Sequence, residues 1–345
     1  METENTKRMN QKIKITVTIA IVLAFVILLG LVVYIAVNAF LNSIGRIDPE
    51  AKYGADNPAM VFQDGEPIET LPINGRAEEL LTDKEVINIL LVGQDRRMWE
   101  EEVPQRTDAM MLCTINKKNN TVTLTSFLPD VWVYIPNLYN QRLNMPYKLG
   151  GFPLLNETLE YNFGIRADYN IEIDFAGFMK TIDLLGGVEV ELSAAEAQYL
   201  NRRGNWGVIT EPKWQLREGV NLLTGSQALA YTRIKELGTD FARVNRQSAV
   251  MQALAEKLEN ISPADLFDMS REVFPLICTD MTNNQIIELL LQILPMLSEL
   301  DIKSQSIPLG GQFFYEKKGE ADVLVLSKDQ LEQTKKLLRE TVSGK

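Results

Sequence analysis

Residues 86–93 read VINILLVG, residues 108–116 read DAMMLCTIN and residues 121–128 read TVTLTSFL. The first is a short apolar run that ends in Gly, as a buried strand does. The other two are joined by Lys117, Lys118, Asn119 and Asn120, a hairpin signal. A turn centred near residue 119 sets Asp108 roughly opposite Asp130. If the first and third strands run parallel, three polar points meet at one edge of the sheet. These are Asp95 and Arg96 after the first strand, Arg106 and Asp108 opening the second, and Asp130 closing the third. Ligands of α/β folds bind in such edge crevices. The plainer alternative is that these charges gather in loops for solubility.

Outward from this core, helical patterns occur at PLLNETLEYNF (153–163), FAGFMKTIDLLGG (175–187) and AAEAQYLN (194–201), with the strand pattern GVEVEL (187–192) between the last two. Thr224 with Gln227, Thr282 with Gln285 and Ser327 with Gln330 have capping-box spacing before three further helices. Pro295 kinks or ends the apolar helix IIELLLQILPML. Strands and helices without strict alternation predict an α/β fold, a mixed central sheet flanked by helices. Residues 85–345 suffice for one core. Residues 38–84 carry scattered Gly and Pro without periodicity and read as a spacer.

The chain has 345 residues, no His, and a net charge of -11. Without His there is no Ser-His-Asp hydrolase, no His-ligated zinc and no imidazole base. Two Cys do not build a disulfide framework, and Cys113, within AMMLCTI, reads as a buried thiol. The acidic balance speaks against nucleic-acid binding. Residues 15–37, ITVTIAIVLAFVILLGLVVYIAV, carry no charge and match the roughly 20 apolar residues that span a bilayer core. The run is too long for a signal-peptide core. Lys7, Arg8, Lys12 and Lys14 precede it. The expected topology is a cytoplasmic tail (1–14), a single membrane helix (15–37) and an extracytoplasmic remainder.

A second cluster lies in TRIKELGTDFARVNRQ. It contains Arg233, Lys235, Asp240, Arg243, Arg246 and Gln247. With a helix starting near Thr239 or Asp240, Arg243, Arg246 and Gln247 take neighbouring positions on one face. Cations beside an apolar stripe are costly unless an anion meets them, although long cationic stems also snorkel to water. Two carboxylates with several arginines suit a hard divalent cation and a polyphosphate.

The segments NILLVGQDR, RTDAMMLCTIN, TSFLPDVWVYIP, TLEYNFGI, DFAGFMKTIDLLGGVEVEL, GSQALAYTRIK and DFARVNRQ, in this order, resemble the LytR-CpsA-Psr family of bacterial cell-envelope proteins. The resemblance runs from about Val86 to the C-terminus. It implies one extracytoplasmic α/β domain with an apolar tunnel for a polyprenyl chain. It also implies transfer of a glycopolymer, such as wall teichoic acid or capsular polysaccharide, from polyprenyl pyrophosphate to peptidoglycan. By the same resemblance Asp95 and Asp108 bind Mg²⁺ or Mn²⁺. Arg106, Arg233, Arg243 and Gln247 hold the pyrophosphate, and Asp240 orients the arginines. Arg96, Arg142, Lys235 and Arg246 complete the expected anion-binding set.

The chain departs from the family pattern at three positions, two of them in its named motifs. The SxxRD motif reads Ser126-Phe127-Leu128-Pro129-Asp130, so Pro stands where an arginine is usual. The YxRxR motif reads Tyr231-Thr232-Arg233-Ile234-Lys235, so a fork becomes a point charge. Arg142 appears where a Lys is common. Two readings stand: a metal-assisted phosphotransferase, or a catalytically weakened polyprenyl-phosphate binder that regulates or scaffolds envelope assembly.

Overall fold

The three apolar runs form adjacent strands. A computed structural model describes residues 34–47, 80–94, 107–203, 214–234, 236–238, 240–259, 261, 263–293, 295–296, 301–309, 313–318 and 321–343. The chain divides into two compact units, Met1–Ser43 and Ile44–Lys345. Of the predicted membrane span, residues 15–33 lie outside the described set, and 34–37 open a helix, α1 (34–41). Among the described residues no helix is long and apolar enough to cross a membrane. Every other element belongs to the second unit.

Its centre is a mixed sheet of β1 (Gly45–Arg46), β2 (Val86–Gln94), β3 (Thr107–Asn116), β4 (Thr121–Phe127), β7 (Tyr169–Asp174), β10 (Ile277–Thr279) and β11 (Asp301–Ile307). The strand order is β1-β10-β7-β2-β3-β4-β11. β3 is antiparallel to both β2 and β4, with Leu90 facing Leu112 and Cys113 facing Leu124. β2 and β4 therefore run parallel. β7 is parallel to β2, and β11 to β4. The C-terminal ends of β2, β4, β7 and β11 thus share one edge with the start of β3. Among the described residues three two-stranded sheets lie outside this one: β5 (Trp132–Tyr134) with β6 (Asn140–Arg142), β8 (Val188–Leu192) with β9 (Gly219–Leu223), and β12 (Phe314–Lys318) with β13 (Ala321–Val325).

One sheet face presents Leu90, Val92, Met110, Leu112 and Phe127 to α2 (Met145–Phe163) and α9 (Lys328–Ser343), in a core shared with Leu155, Leu159, Phe163, Leu331 and Leu338. Helix α2 starts eight residues before its sequence pattern, and it breaks at Gly150 and Gly151 ahead of Pro153. Two glycines in non-helical conformations hide the first turn from any periodicity argument. The opposite face is covered by α3 (Phe175–Leu184) and α6 (Asp240–Glu259). A second core joins α3, the β8–β9 hairpin, α4 (Ala194–Arg203), α5 (Gly225–Thr232) and α6. The remaining helices are α7 (Pro263–Val273) and α8 (Asn283–Ile293).

The capping signals act as their spacing predicts. The Thr224 side chain and Gln227 cap α5 reciprocally. Thr282 with Gln285 and Ser327 with Gln330 do the same before α8 and α9. Helix α8 ends at Ile293, short of Pro295.

Helices α3 and α5 touch backbone to backbone. A Cβ on Gly225 would lie 2.1 Å from the Met179 carbonyl oxygen, and Gly225 N donates to Asp183 Oδ1 at 2.7 Å. Interiors packed at crystal density do not absorb such a clash. Gly225→Ala is therefore expected to cost about 2 kcal/mol or more, read as a lowered midpoint in chemical denaturation.

Candidate functional site

Of the predicted polar points, Asp108 lies at the start of β3 and Asp130 follows the end of β4, both at the shared sheet edge. In the β2–β3 ladder Gly93 faces Ala109 but Gln94 faces Thr107. Asp108 is therefore the extra residue of a β-bulge. Bulges re-aim a side chain beside many active sites, and no apolar pattern announces one. Gln94 and Thr107, paired across this bulge, are fully buried, and their side-chain polar atoms have no hydrogen-bond partner among the described residues. Buried polar groups left so are rare. They fit an edge that receives a polar or ionic group. The side chain of Asp108 and all of Asp95, Arg96 and Arg106 lie outside the described residues.

Three residues past β4, Asp130 receives two guanidinium groups. Arg142 Nη1 donates to its Oδ1 at 3.4 Å, and Arg243 Nη2 donates to its Oδ2 at 3.2 Å. The side chains of Asp130, Arg142 and Arg243 are 17%, 23% and 12% exposed, so this triad is reachable but poorly hydrated. Arg142 arrives on the β5–β6 hairpin, where it faces Trp132. Arg243 arrives on the first turn of α6. That helix is held to β4 where Ser126 and Ser248 share a 3.2 Å hydroxyl contact. Gln247 follows Arg243 by one turn. Pro129 gives up no bond here: its carbonyl accepts from Asn144 N at 3.1 Å, and its missing N–H is not called upon.

At the other end of the edge, Arg233 lies over the Phe175 ring, 4.5 Å from its centroid. Such a cation–π contact helps to fix the position of a guanidinium. Phe175 starts α3 directly after β7. Since β7 and β4 are three strand spacings apart, Arg233 and the Asp130 triad bracket an edge of about 14 Å. The end of β2 and the start of β3 lie between them.

Arg246 is placed differently from the expectation. It is 6% exposed. Its Nε donates to Glu196 Oε1 at 2.7 Å, its Nη1 to the Ile234 carbonyl at 3.0 Å, and its Nη2 to the Leu237 carbonyl. The anion that a buried cation requires is Glu196 of α4. The role of Arg246 is to hold the turn that carries Arg233. Lys235 and the side chain of Asp240 lie outside the described residues.

The sheet face beneath α3 and α6 carries Leu91, Ala109, Cys113, Ile171 and Ile173, each only half-buried although they sit mid-sheet. A Cβ on Gly177 of α3 would meet Ile173 Cγ1 at 2.9 Å, so the helix closes on one side of this apolar strip. Cys113 and Cys278 are free thiols, and burial pushes Cys113 up to about 12. Among the described residues no group of three or more Cys, Asp or Glu side chains converges as a metal centre would.

The structure is an α/β fold with arginines at one sheet edge and a half-buried apolar strip beneath its helices. The model of the LytR_cpsA_psr family matches residues 55–340, and the chain belongs to that family. It is 30% identical over 195 residues to TagT of Bacillus subtilis (strain 168), a polyisoprenyl-teichoic acid–peptidoglycan teichoic acid transferase, covering 56% of this chain and 59% of TagT. It is 33% identical over 175 residues to the regulatory protein MsrR of Staphylococcus aureus, covering half of each. The chain thus spans about half to three fifths of the length of these relatives. A structure of TagT bound to LIIa-WTA superposes with a TM-score of 0.61 at 22% identity, covering 79% of this chain and 97% of that one. Another, with bound octaprenyl pyrophosphate lipid, gives 0.58 at 23%, covering 78% and 97%. At that identity the superpositions establish the fold.

Sequence reasoning placed Asp130 at the edge but gave it no role. The signal was there: it is the carboxylate that ends β4. The hairpin that brings Arg142 to it has strands of three residues, too short for a periodic pattern. Burial pushes the Glu196 carboxyl up, but hydrogen bonds from Arg246 and Ser193 outweigh this and hold it below its ordinary 4.5. A depressed acid stabilises the fold fully above its unfolded value and loses that contribution as pH falls through the folded one. Glu196→Gln should therefore flatten the acid decline of the thermal midpoint below about pH 4.5. Arg246→Ala, which strands a buried carboxylate, should lower stability by about 3 kcal/mol in a denaturant titration.

Proposed function

We propose that this chain transfers an anionic glycopolymer, of wall teichoic acid or capsular polysaccharide type, from polyprenyl pyrophosphate to peptidoglycan. The observation that carries the reading is the Asp130–Arg142–Arg243 triad at the sheet edge of a family fold. One relative in that family, TagT, is a teichoic acid transferase and has a solved structure with bound octaprenyl pyrophosphate. Guanidinium forks match phosphate oxygens through paired hydrogen bonds. Arg142 and Arg243 at one end and Arg233 at the other would grip the two phosphates. Asp130 positions the first two. The half-buried strip from Leu91 to Ile173 supports a bed for the polyprenyl chain.

In the reaction, a sugar hydroxyl of the acceptor attacks the phosphorus that bears the polymer. A new phosphodiester forms, the anhydride P–O bond breaks, and polyprenyl phosphate leaves. The arginines neutralise charge growing on the leaving phosphate. The hydroxyl proton passes to a carboxylate, Asp95 being the candidate, because the chain has no His. Asp95 and Asp108 would hold Mg²⁺ or Mn²⁺; each directly follows in sequence one of Gln94 and Thr107, whose buried side chains have no hydrogen-bond partner among the described residues. Such an ion would supply charge stabilisation to the phosphoryl oxygens. Anchoring by residues 15–37, with the α/β unit outside the cytoplasm, would present this edge to a membrane-borne donor.

The alternative reading, a polyprenyl-phosphate binder with weakened chemistry, rests on Pro129 and Lys235. The contact between Arg142 and Asp130 favours the transferase, since a guanidinium from the neighbouring hairpin already serves the carboxylate beside Pro129. Transfer is tested with the purified chain, lipid-linked polymer, peptidoglycan oligomer and Mg²⁺. Arg142→Ala should lower the rate by about 10²–10³, whereas Pro129→Arg should change it by less than about threefold. A large gain in Pro129→Arg from near-zero activity would instead establish the binder.

A further inference from the structure

Helix α8 lies along the sheet edge opposite the candidate site. It follows β10, whose last residue, Thr279, faces Ile171 toward the start of β7. The Arg46 guanidinium of β1 donates to the Asn283 side chain in its first turn. Near its other end Gln292 Oε1 accepts from Lys117 Nζ at 2.9 Å, where β3 turns into β4. From Asn283 to Gln292 a helix rises about 14 Å, the width of about three strand spacings, and three such spacings separate β10 from β3. The helix therefore runs beneath the starts of β7 and β2.

Its two faces differ. Ile286 and Leu289 are buried, whereas Leu290 and Leu291 are 47% and 65% exposed and Ile287 is half-buried. At about 100° per residue, Leu291 stands opposite the midpoint of the buried pair. Ile287, Leu290 and Leu291 have the i, i+3, i+4 spacing of one stripe. Single exposed apolar residues are ordinary, but a stripe of three on the outer side of a helix is a surface that something covers. That partner is apolar. Helix α8 contains no Lys or Arg, and the two lysines beside its end are engaged, Lys118 with Asp83 at 2.7 Å and Lys117 with Glu85 at 4.0 Å.

The length of chain between α8 and the apolar segment 15–37 indicates what covers the stripe. Arg46, bound to the first turn of α8, follows Val37 by nine residues. Residues 38–41 are helical and rise about 1.5 Å each, and the next five extend at most about 3.5 Å each. Arg46 is thereby held within roughly 25 Å of Val37. The length of β3 sets the site edge about 30 Å from the α8 edge. Such a tether brings the α8 edge to a bilayer crossed by residues 15–37, and it is too short to lay the site edge there. We propose that α8 seats the α/β unit on this bilayer, with Ile287, Leu290 and Leu291 set about 5–10 Å into the boundary of headgroups and acyl chains. The proposal rests on the reading of residues 15–37 as the anchor. In this seat the Asp130–Arg142–Arg243 edge faces away from the membrane, toward the acceptor. The half-buried strip, which runs from Ala109 near that edge to Cys113 nearer α8, leads a polyprenyl tail back toward the bilayer.

The test uses the full chain in liposomes of phosphatidylcholine brominated on its acyl chains, with an added Trp as the depth probe. Leu291→Trp and Leu290→Trp are compared with Val220→Trp, at an apolar position of β9 that is 71% exposed. Emission in excess of the parent chain's isolates the added ring. At positions 290 and 291 it should fall by roughly half in the brominated bilayer, as expected at the depth of an interfacial helix, and at position 220 it should not change. Because the seat is apolar, replacing part of the lipid by phosphatidylglycerol should leave this quenching as it is. Unquenched rings at both 290 and 291, in chains that float with the liposomes, overturn the proposal. So does equal quenching at 220. Unquenched rings together with a dimer in detergent, which the double substitution Leu290→Gln, Leu291→Gln converts to a monomer, overturn it and assign the stripe to a second copy of the chain. A parent chain that does not float with the liposomes ends the anchor reading, and the seat with it.

Discussion

Two guanidinium groups from different parts of the chain meet one carboxylate at the end of β4, and the arrangement of the sheet edge turns on that meeting. Arg142 comes from a short hairpin and Arg243 from the first turn of α6. Arg142 lies 12 residues from Asp130 along the chain and Arg243 lies 113. The hydrogen-bonding geometry is loose, at 3.4 and 3.2 Å, and both guanidinium groups share the one carboxylate. A desolvated cluster of this kind is stable in the company of an anion and costly without one. The same logic explains Arg246, one turn along the helix. Its anion is Glu196, bound at 2.7 Å, so its charge is satisfied within the protein and serves to fasten a turn.

The sheet converts this local chemistry into a site. Because β3 runs antiparallel to both neighbours, the ends of β2, β4 and β7 fall on one edge. The bulge at Asp108 and the Phe175–Arg233 contact complete the row. On one face the sheet is sealed by α2 and α9, with side chains packed to full burial. On the other, residues in the middle of the sheet keep partial exposure beneath α3 and α6. A polar edge that opens onto an apolar face suits a molecule with a charged head and a long hydrocarbon tail. That is the chemistry borne by the family to which the chain belongs.

The two departures within the family motifs have unequal structural weight. Pro129 fits its turn, because the backbone there offers a carbonyl to Asn144 and needs no N–H. Arg142 reaches the neighbouring Asp130 from the β5–β6 hairpin. Cationic charge is thus available beside Pro129 without a guanidinium at that position. Lys235 lies outside the described residues, and its consequence is a matter of chemistry alone: a point charge in place of a fork.

Much of this was legible in the amino-acid order. The runs at 86–93, 108–116 and 121–128, the four-residue turn at 117–120, the three capping pairs and the stop before Pro295 are local signals. Each depends on residues within one turn or one strand of each other. They determine which elements form and that the sheet is mixed, and they put Asp108 and Asp130 beside strand ends that the tertiary structure brings to one edge. The bulge at Asp108, the start of α2 across Gly150 and Gly151, the burial of Arg246 against Glu196 and the partners of Asp130 were decided by tertiary structure. The physical reason is that a helix face or a strand end is a local property. Which charge a guanidinium meets depends on segments 50 to 113 residues away in the chain, and on which contact leaves the fewest buried polar groups unpaired.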